Sequence, residues 1–275
     1  FRSSFSYIAA YLGIASAMGH QVQFGQPAPD NVISVLQAGI IATGILNIIV
    51  GFIIKKAGKA AVDKILPPIV TGSVACVIGI GLAKAALDMS FFNNGGYWGI
   101  ALLTLVVTIG ASHLLRGKGF IGMLPILIGA VVGYIVTLLI APDQISFARV
   151  ASSPFITAPH ITLPDFSGPM VATAIFSISI MALATIPEST AHLYQISLYA
   201  DRLAEEQGRE KYHLDQHVGF NLVLDGVGDF IHGLFGATAG TNYGENNSLM
   251  AITRNYSGPV LIAAGAICIV LAFIG

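Results

Sequence analysis

The feature that most constrains this chain is a series of apolar stretches, each about as long as a bilayer is thick. A hydrocarbon layer of about 30 Å is crossed by roughly 20 helical residues. Five stretches reach that length between polar breaks: Asn31–Ile54, Ile65–Leu87, Tyr97–Leu115, Gly119–Ala141 and Met170–Ala200. The sequence therefore predicts an all-α polytopic membrane protein.

Four further segments are apolar but interrupted or short: Phe1–Met18, Val218–Phe235, Asn242–Thr253 and the run from Pro259 to Gly275. The last span looks unfinished, and the chain starts without Met or a basic leader, so we expect a piece of a longer protein. Only 10% of the residues are charged, the net charge is -1 and the mean hydropathy is +0.77. This composition excludes an ordinary soluble domain and a basic nucleic-acid-binding surface.

The positive charges indicate which loops face the cytoplasm, because Lys and Arg near span ends are retained on that side. They concentrate in Lys55–Lys64, Arg116–Lys118 and Asp201–Gln216, whereas Asp88–Gly96 has none and Pro142–Gly168 has one. Charge-rich and charge-poor connections thus alternate. The three charge-rich loops are predicted to lie inside the cell.

One acidic residue falls within the apolar run that follows Met170. Acids in a membrane span usually face a cavity, a partner or an ion. Glu188 follows Pro187, which removes a helix hydrogen bond and can open the helix locally. His192 lies four residues later on the same helical face, where it can share a proton or hydrogen bond with Glu188. The sequence leaves open a binding group, a proton carrier and a carboxylate paired with a neighbouring helix.

A second acid lies in the stretch GTNYGENNSLMAITR, in which Gly240 and Gly244 allow irregular backbone before Glu245. The residues from Asn246 to Arg254 are long enough for half a span. Broken helices at membrane depth line protein-enclosed cavities, and their N-termini offer unpaired N–H groups. The pattern predicts a substrate site, with a glycine-rich loop before a surface helix as the alternative. The stretch FRSSFSYIAAYLG at the N-terminus could be the matching half-span.

Three polar residues between these motifs must face the protein interior: Asp225, Asp229 and His232 in LVLDGVGDFIHGLFG. The close glycine spacing suits tight helix packing. For Asp229 we favour a packing or hydrogen-bonding role over direct ion coupling.

The stretch YGENNSLMAITR resembles the signature of the nucleobase-ascorbate transporter family: an acid or Gln, Asn, any residue, Gly, four residues, then Thr-Arg. The matching residues are Glu245, Asn246, Thr253 and Arg254, whereas Ser248 stands where the family usually has Gly. The segments SSFSYI, IIKKAG, LPP, PILIGAVVGY and GLFGAT resemble the family in the same order along the chain.

This resemblance implies a fold of fourteen segments in two inverted repeats of seven, divided into a core and a gate domain. The chain resembles segments three to eleven, with residues 1–64 and 169–275 in the core and residues 65–168 in the gate. The half-helices of segments three and ten would each follow a short strand.

The resemblance also implies the function: proton-coupled import of a nucleobase, without a cofactor, by a multi-pass protein of the plasma membrane. Substrate binding would involve Glu188, Glu245, Gly244, Phe5 and Tyr243, and proton coupling would involve Glu188 and His192. The acid at position 245 resembles the uracil branch, since purine transporters commonly have Gln there.

Several alternatives remain beside that reading. One is a xanthine or urate permease of the same family, and a less favoured one is an anion transporter of related fold, against which two buried acids argue. An enzyme is not expected, because no nucleophile lies in register with a base. The expected partners are the nucleobase and the bilayer, not nucleic acid. A proton is favoured over Na⁺ as the coupling ion, and a homodimer is left open.

We expect that cells expressing only these 275 residues do not take up a nucleobase, because half of the predicted gate domain is missing. Radiolabelled uracil uptake above that of empty-vector cells would contradict this expectation.

Overall fold

A computed structural model describes residues 4–20, 28–58, 97–115, 121–145 and 154–274, together with single positions between 61 and 147. Within them lie nine α-helices: α1 Ile8–Ala17, α2 Asp30–Ala57, α3 Trp98–Leu114, α4 Pro125–Ile140, α5 Val171–Ser179, α6 Ala182–Glu206, α7 Val218–Phe235, α8 Gly244–Thr253 and α9 Gly258–Leu271. Short 3-10 turns occupy Phe5–Tyr7, Ile121–Met123, Pro142–Gln144 and Leu214–His217. The predicted span Ile65–Leu87 lies mostly outside the described residues.

The described helices agree with a membrane protein built of helices. Three segments are long and apolar enough to cross a bilayer: Asp30–Ala57, Val171–Glu206 and Leu214–Phe235. The helices α1, α3, α4 and α9 are shorter and apolar. Many large apolar side chains remain exposed on them, such as Ile109, Leu139 and Ile262, as expected for surfaces that face lipid.

The span predicted over Met170–Ala200 is two helices, and the interruption is not at Pro187. Around Ile180 and Met181 the backbone closes with i to i+3 bonds, from Met181 N–H to the Ile178 carbonyl and from Leu183 N–H to the Ile180 carbonyl. This tightened turn separates α5 from α6. Pro187 lies inside α6, where it removes one hydrogen bond without ending the helix.

The short strands expected before the half-helices are not found in the described residues. The chain before α1 is a 3-10 turn, and the chain before α8 has no regular structure. A single backbone hydrogen bond joins the two segments, from Ser4 N–H to the Ala239 carbonyl, over 3.0 Å. The N–H groups of Ala239 and Gly240 donate to the side chains of Tyr11 and Asp229 instead, so the described part of the two segments forms no ladder.

The chain separates into two compact units. Residues 1–79 and 160–247 form the first, and residues 80–159 and 248–275 form the second. The core and gate boundaries expected at 64 and 168 remain a prediction.

In the first unit, α2 and α7 run antiparallel along a seam of glycines. A Cβ on Gly44 would lie 2.6 Å from the Phe230 nitrogen and 2.7 Å from the Gly226 carbonyl oxygen. Nearer the other end of the seam, a Cβ on Gly219 would lie 2.5 Å from the Lys55 nitrogen. Small residues let two backbones approach this closely, which is how helices gain van der Waals contact in lipid.

Gln37 fastens the opposite end of this seam. Its side chain is fully buried, and its Nε2 donates to the carbonyls of Thr162, over 2.9 Å, and Gly233, over 2.7 Å. The Thr162 hydroxyl donates back to Gln37 Oε1 over 2.8 Å. The amide therefore ties α2 both to the end of α7 and to the connection before α5.

In the second unit, α3 and α4 pack through threonine and glycine. A Cβ on Gly129 or Gly133 would collide with the hydroxyl of Thr108 or Thr104. Each hydroxyl donates to its own helix, Thr108 to the Thr104 carbonyl and Thr104 to the Ile100 carbonyl, both over 2.8 Å. Their polar atoms are thus satisfied without a partner from another helix.

Substituting Gly44 by Ala should destabilise the first unit, since the added methyl meets backbone atoms that cannot rotate away. We expect a loss of about 1–3 kcal/mol in the free energy of unfolding, seen as an earlier loss of the monodisperse peak when the full-length protein is heated in detergent. Gly110→Ala is the matched control, because nothing lies within 4 Å of its Cβ position. Equal melting temperatures for both variants would contradict the close packing of α2 against α7 at Gly44.

Candidate functional site

Two irregular segments meet in the first unit, each ahead of a ten-residue helix. Besides the bond from Ser4 to Ala239, the Ala239 N–H donates to the hydroxyl of Tyr11 over 3.0 Å. One segment leads into α1 and the other into α8. A ten-residue helix is about 15 Å long, or half a bilayer core. Both helices thus have the length of the two half-spans that the sequence predicts.

Two tyrosines of α1 and its preceding turn form the wall behind this meeting point. The rings of Tyr7 and Tyr11 stack with centroids 6.0 Å apart and an interplanar angle of 16°. Tyr7 is fully buried, and its hydroxyl shares a hydrogen bond of 3.2 Å with Thr185 Oγ1 on α6. The stack fixes α1 against α6 one turn before Glu188.

Glu188, His192 and Gly244 are brought together beside this wall. Glu188 is half-buried on α6 and accepts a hydrogen bond from Ser6 Oγ over 3.3 Å. His192 follows one turn later on the same face. A Cβ on Gly244 would lie 3.2 Å from His192 Nε2, so the first residue of α8 approaches the imidazole closely. Both predicted motifs therefore contribute to one place.

Asn247 fastens α8 to α6 from within the signature motif. Its side chain is buried, and its Nδ2 donates to the His192 carbonyl over 2.7 Å and to Gln195 Oε1 over 3.3 Å. The amide thereby holds the N-terminal turn of the half-helix next to the imidazole.

A polar network beneath the site centres on Ser189, the residue after Glu188. Its hydroxyl donates to Asp225 on α7 in a short hydrogen bond and accepts from Asn221 Nδ2 over 2.8 Å and Asn242 Nδ2 over 3.2 Å. Asn242 also donates to Asn221 Oδ1 over 3.0 Å. The network links α6, α7 and the segment before α8, and so fixes the backbone that presents Glu188.

The remaining predicted binding residues are sequence neighbours of Ser6 or Gly244. The side chains of two of them fall outside the described residues. Phe5 lies in the 3-10 turn before α1, and Glu245 lies in the first turn of α8; only their backbone is described. Tyr243 is half-buried just before α8, and its carbonyl accepts the N–H of Asn247 over 3.3 Å.

The motif residues are spread along α8. Asn246 is exposed, in contrast to its neighbour Asn247. The side chain of Thr253, at the end of α8, lies outside the described residues. Arg254 follows the helix with a left-handed backbone, φ 54°, which agrees with the predicted helix end at this position.

Sequence reasoning missed the supporting amides and hydroxyls: Ser6, Ser189, Asn221, Asn242 and Asn247. A signal was present for one pair, because Asn221 and Asp225 are four residues apart on a mainly apolar helix. For the others, only the fold shows which small polar residues meet.

A second cluster, at the far end of α6, could hold a metal by composition. Ligand atoms of Asp201, His213 and Asp215 lie within 4.8 Å of one another. The Asp201 carboxylate already accepts the backbone N–H groups of Tyr212, over 2.7 Å, and His213, over 3.1 Å. These bonds close the polar loop after α6 and account for the cluster.

Chemically, the site offers a carboxylate acceptor, an imidazole and the N-terminus of a half-helix around one place. Such a set can bind a small planar molecule that presents both N–H donors and carbonyl acceptors. It also contains two adjacent groups that can carry a proton.

A sequence model of the permease family matches residues 3–275 of this chain. Similar proteins include the uracil permease of Bacillus caldolyticus, at 32% identity over 99% of this chain and 59% of the relative, and the uracil permease of Escherichia coli K12, at 32% over 99% and 58%. The putative pyrimidine permease RutG of Escherichia coli K12 is 30% identical over 96% and 57%. The chain thus spans less than two thirds of the length of these relatives.

Replacing Asn247 by Leu should destabilise the protein by roughly 1–3 kcal/mol, because the His192 carbonyl and the Gln195 side chain, both in part-buried hydrogen bonds, each lose a donor. Asn246→Leu is the matched control on the exposed neighbouring position and should change stability by no more than about 0.5 kcal/mol. Thermal unfolding of both full-length variants without substrate tests this. A larger effect at Asn246 would contradict the described packing of α8.

Proposed function

Because the chain belongs to the permease family, we propose that the protein containing it imports a nucleobase, and that uracil is its substrate. The protein is a multi-pass protein of the plasma membrane. The observation that carries the proposal is the meeting of Glu188, Ser6 and His192 with the first turn of α8. The names of the similar proteins, two uracil permeases and a putative pyrimidine permease, supply the substrate.

The chemistry of a uracil edge suits this arrangement. Uracil offers ring N–H donors next to carbonyl acceptors, and an ionised carboxylate accepts from the former. Glu188 would take that role, and Glu245, in the first turn of α8, would be a second acceptor. The N–H groups at the start of α8 would donate to a uracil carbonyl, since a helix N-terminus carries unpaired donors and a partial positive charge.

The partners of Glu188 support an oriented carboxylate. Ser6 donates to one of its oxygens from the segment before α1, and the neighbouring Ser189 is anchored to α7. The base would therefore contact groups fixed on separate helices. Interactions with preorganised groups bind more tightly, because less side-chain freedom is lost on binding.

We also propose that a proton drives the import, through Glu188 and His192. These side chains share one face of α6 at the base site, so protonation of either changes the charge that the base meets. A carboxylate removed from water costs free energy unless it is paired or protonated, which couples its protonation to occupancy. Na⁺ is the alternative driving ion.

The test of the substrate uses full-length protein in proteoliposomes with radiolabelled uracil. Glu188→Gln and Glu245→Gln should each lower uptake at least about tenfold, since a carboxamide replaces a carboxylate acceptor. Glu210→Gln, on the exposed loop after α6, is the charge-matched control and should keep uptake. Unlabelled uracil should compete, whereas xanthine, urate and cytosine should not.

If xanthine or urate inhibited the uptake more strongly than unlabelled uracil does, the preferred substrate would be a purine. Full uptake by both Glu variants would mean that neither carboxylate binds the substrate.

The test of the driving ion compares uptake under an inward proton gradient with uptake under an inward Na⁺ gradient. The proton gradient should accelerate uptake, and His192→Asn should lose that acceleration while uracil binding at equilibrium stays measurable. His217→Asn, at an exposed position before α7, should behave like the wild type. Acceleration by Na⁺ alone would contradict proton coupling.

A further inference from the structure

We propose that one end of the α2–α7 seam binds a phospholipid with a zwitterionic ethanolamine headgroup. The headgroup would occupy a cavity between the end of α2 and the start of α7, and the acyl chains would lie along one apolar face of the two helices. All of the residues involved belong to the first unit, and none of them belongs to the nucleobase site. The proposal therefore goes beyond the proposed function.

The cavity lies where α2 ends and α7 begins. It has a volume of about 380 Å³, including space open to solvent, and its lining includes Ile54, Lys55, Asp215, Gln216, His217 and Phe220. The two backbones touch beside it, because a Cβ on Gly219 would lie 2.5 Å from the Lys55 nitrogen. The cavity is thus a gap at the end of a tightly packed helix pair, and charged side chains border it.

The length of α2 gives the depth of this cavity in the bilayer. Helix α2 has 28 residues and is therefore about 42 Å long, which equals the roughly 40–45 Å of a bilayer with its headgroups. Its last turn, which contains Lys55, lies at headgroup depth. The connections on both sides of the cavity, Lys55–Lys64 and Asp201–Gln216, are rich in Lys and Arg and are predicted to face the cytoplasm. The cavity therefore belongs to the headgroup layer of the inner leaflet.

The lining of the cavity offers one cation and one anion. The Lys55 ammonium can donate to a phosphate, and the Asp215 carboxylate can accept from an ammonium group. Asp215 is held in place, because its N–H donates to Ser197 Oγ over 3.1 Å and that hydroxyl donates to Asp215 Oδ1 over 3.3 Å. A wholly basic pocket at this depth would suit an anionic headgroup. A cation beside an anion instead suits a phosphate that is followed by an amine.

Two stripes of exposed apolar side chains extend from this end of the helix pair. They consist of Ile45, Ile49 and Phe52 on α2 and of Phe220, Leu224, Val227 and Ile231 on α7. Each stripe lies one residue after the glycines of the seam, since Ile45 follows Gly44 and Phe220 follows Gly219. One residue is a rotation of about 100° around a helix, so each stripe lies beside the seam.

Both stripes lie on the same side of the helix pair. The two helices run in opposite directions, so the same rotation about each axis, starting from the seam, leads to one common side. The glycines between the stripes leave a shallow groove there. Acyl chains can fill such a groove, because contact between apolar surfaces in a bilayer depends on close van der Waals packing.

Phe220 makes the apolar face continuous with the charged cavity, because it lines the cavity and also begins the stripe on α7. A phospholipid has the same order of groups: acyl chains, then a phosphate, then an amine. A helix from another part of the protein could cover the stripes, but it would not supply a phosphate to Lys55 and an amine to Asp215. The order of apolar and charged groups therefore favours the lipid.

The experiment uses native mass spectrometry of delipidated full-length protein without nucleobase. Phosphatidylethanolamine, phosphatidylglycerol and phosphatidylcholine with identical acyl chains are added in turn. The wild type should bind phosphatidylethanolamine most tightly, because the glycerol headgroup lacks a cation and the choline headgroup has no N–H to donate to Asp215.

Lys55→Gln should weaken the binding of phosphatidylethanolamine at least about tenfold, because a charge-assisted bond to the phosphate is lost. Lys56→Gln is the matched control, since this neighbouring lysine is exposed and does not line the cavity. Asp215→Asn should lower the affinity for phosphatidylethanolamine to that for phosphatidylcholine. Glu210→Gln, on the exposed loop after α6, should leave the preference unchanged.

A photoactivatable acyl chain on phosphatidylethanolamine gives a second readout with the wild-type protein, independent of the folding of any variant. Crosslinks should map to residues 45–56 and 220–231. Equal binding of the three lipids by the wild type would overturn the proposal, as would equal affinities of Lys55→Gln and Lys56→Gln. Crosslinks that fall only elsewhere in the full-length protein would mean that another segment covers this face, and would overturn it too. Because no nucleobase is present, failure here leaves the transport proposal intact.

Discussion

In the hydrocarbon layer, a break in a helix can persist only where the protein itself supplies partners for the freed backbone groups. The two breaks in the first unit meet this requirement by using each other and the helices around them. Ser4 N–H bonds to the Ala239 carbonyl, Ala239 N–H to the Tyr11 hydroxyl and Gly240 N–H to the Asp229 carboxylate. Because the partners come from different elements, the bonds that satisfy the two breaks also hold the segment before α8 to α1 and to α7, and the site is positioned by the same bonds.

The rest of the first unit keeps that place rigid. The glycine seam lets α2 and α7 approach to backbone contact, and the buried Gln37 amide closes one end of the seam. On the other side, Ser189 connects α6 to α7 through Asp225. Many large apolar side chains are exposed, as expected for surfaces that face lipid, whereas buried polar side chains such as Gln37 and Ser189 form hydrogen bonds between helices. A carboxylate such as Glu188 is therefore held on a rigid scaffold, as a binding site requires.

The sequence predicted the parts of this structure that depend on local composition. Hydropathy alone predicted α2 to within a few residues, because a continuous apolar run has few other ways to satisfy its backbone in lipid. The interrupted apolar segment Val218–Phe235 is α7. Gly240, Gly244 and Glu245 predicted the second half-helix, and Glu188 with His192 predicted the face of α6 that meets it. Contacts between distant residues were not predictable. Asn246 and Asn247 are identical side chains in one motif, yet only the second is buried against His192. Likewise, no sequence feature of Ser189 indicates that Asp225 is its partner. The expected strands are not found in the described residues for the same reason, because side chains accept the hydrogen bonds of Ala239 N–H and Gly240 N–H that a ladder would use.

The central claim is that a nucleobase binds where the two chain breaks meet, and hydrogen exchange of the full-length protein with and without uracil tests it most directly. Bound uracil should slow amide exchange in residues 4–11 and 239–247, because their opening would disrupt both the paired segments and the site. Exchange in α3 and α4 should stay unchanged. Uracil binding that leaves both segments unprotected, or that protects only α3 and α4, would contradict the account.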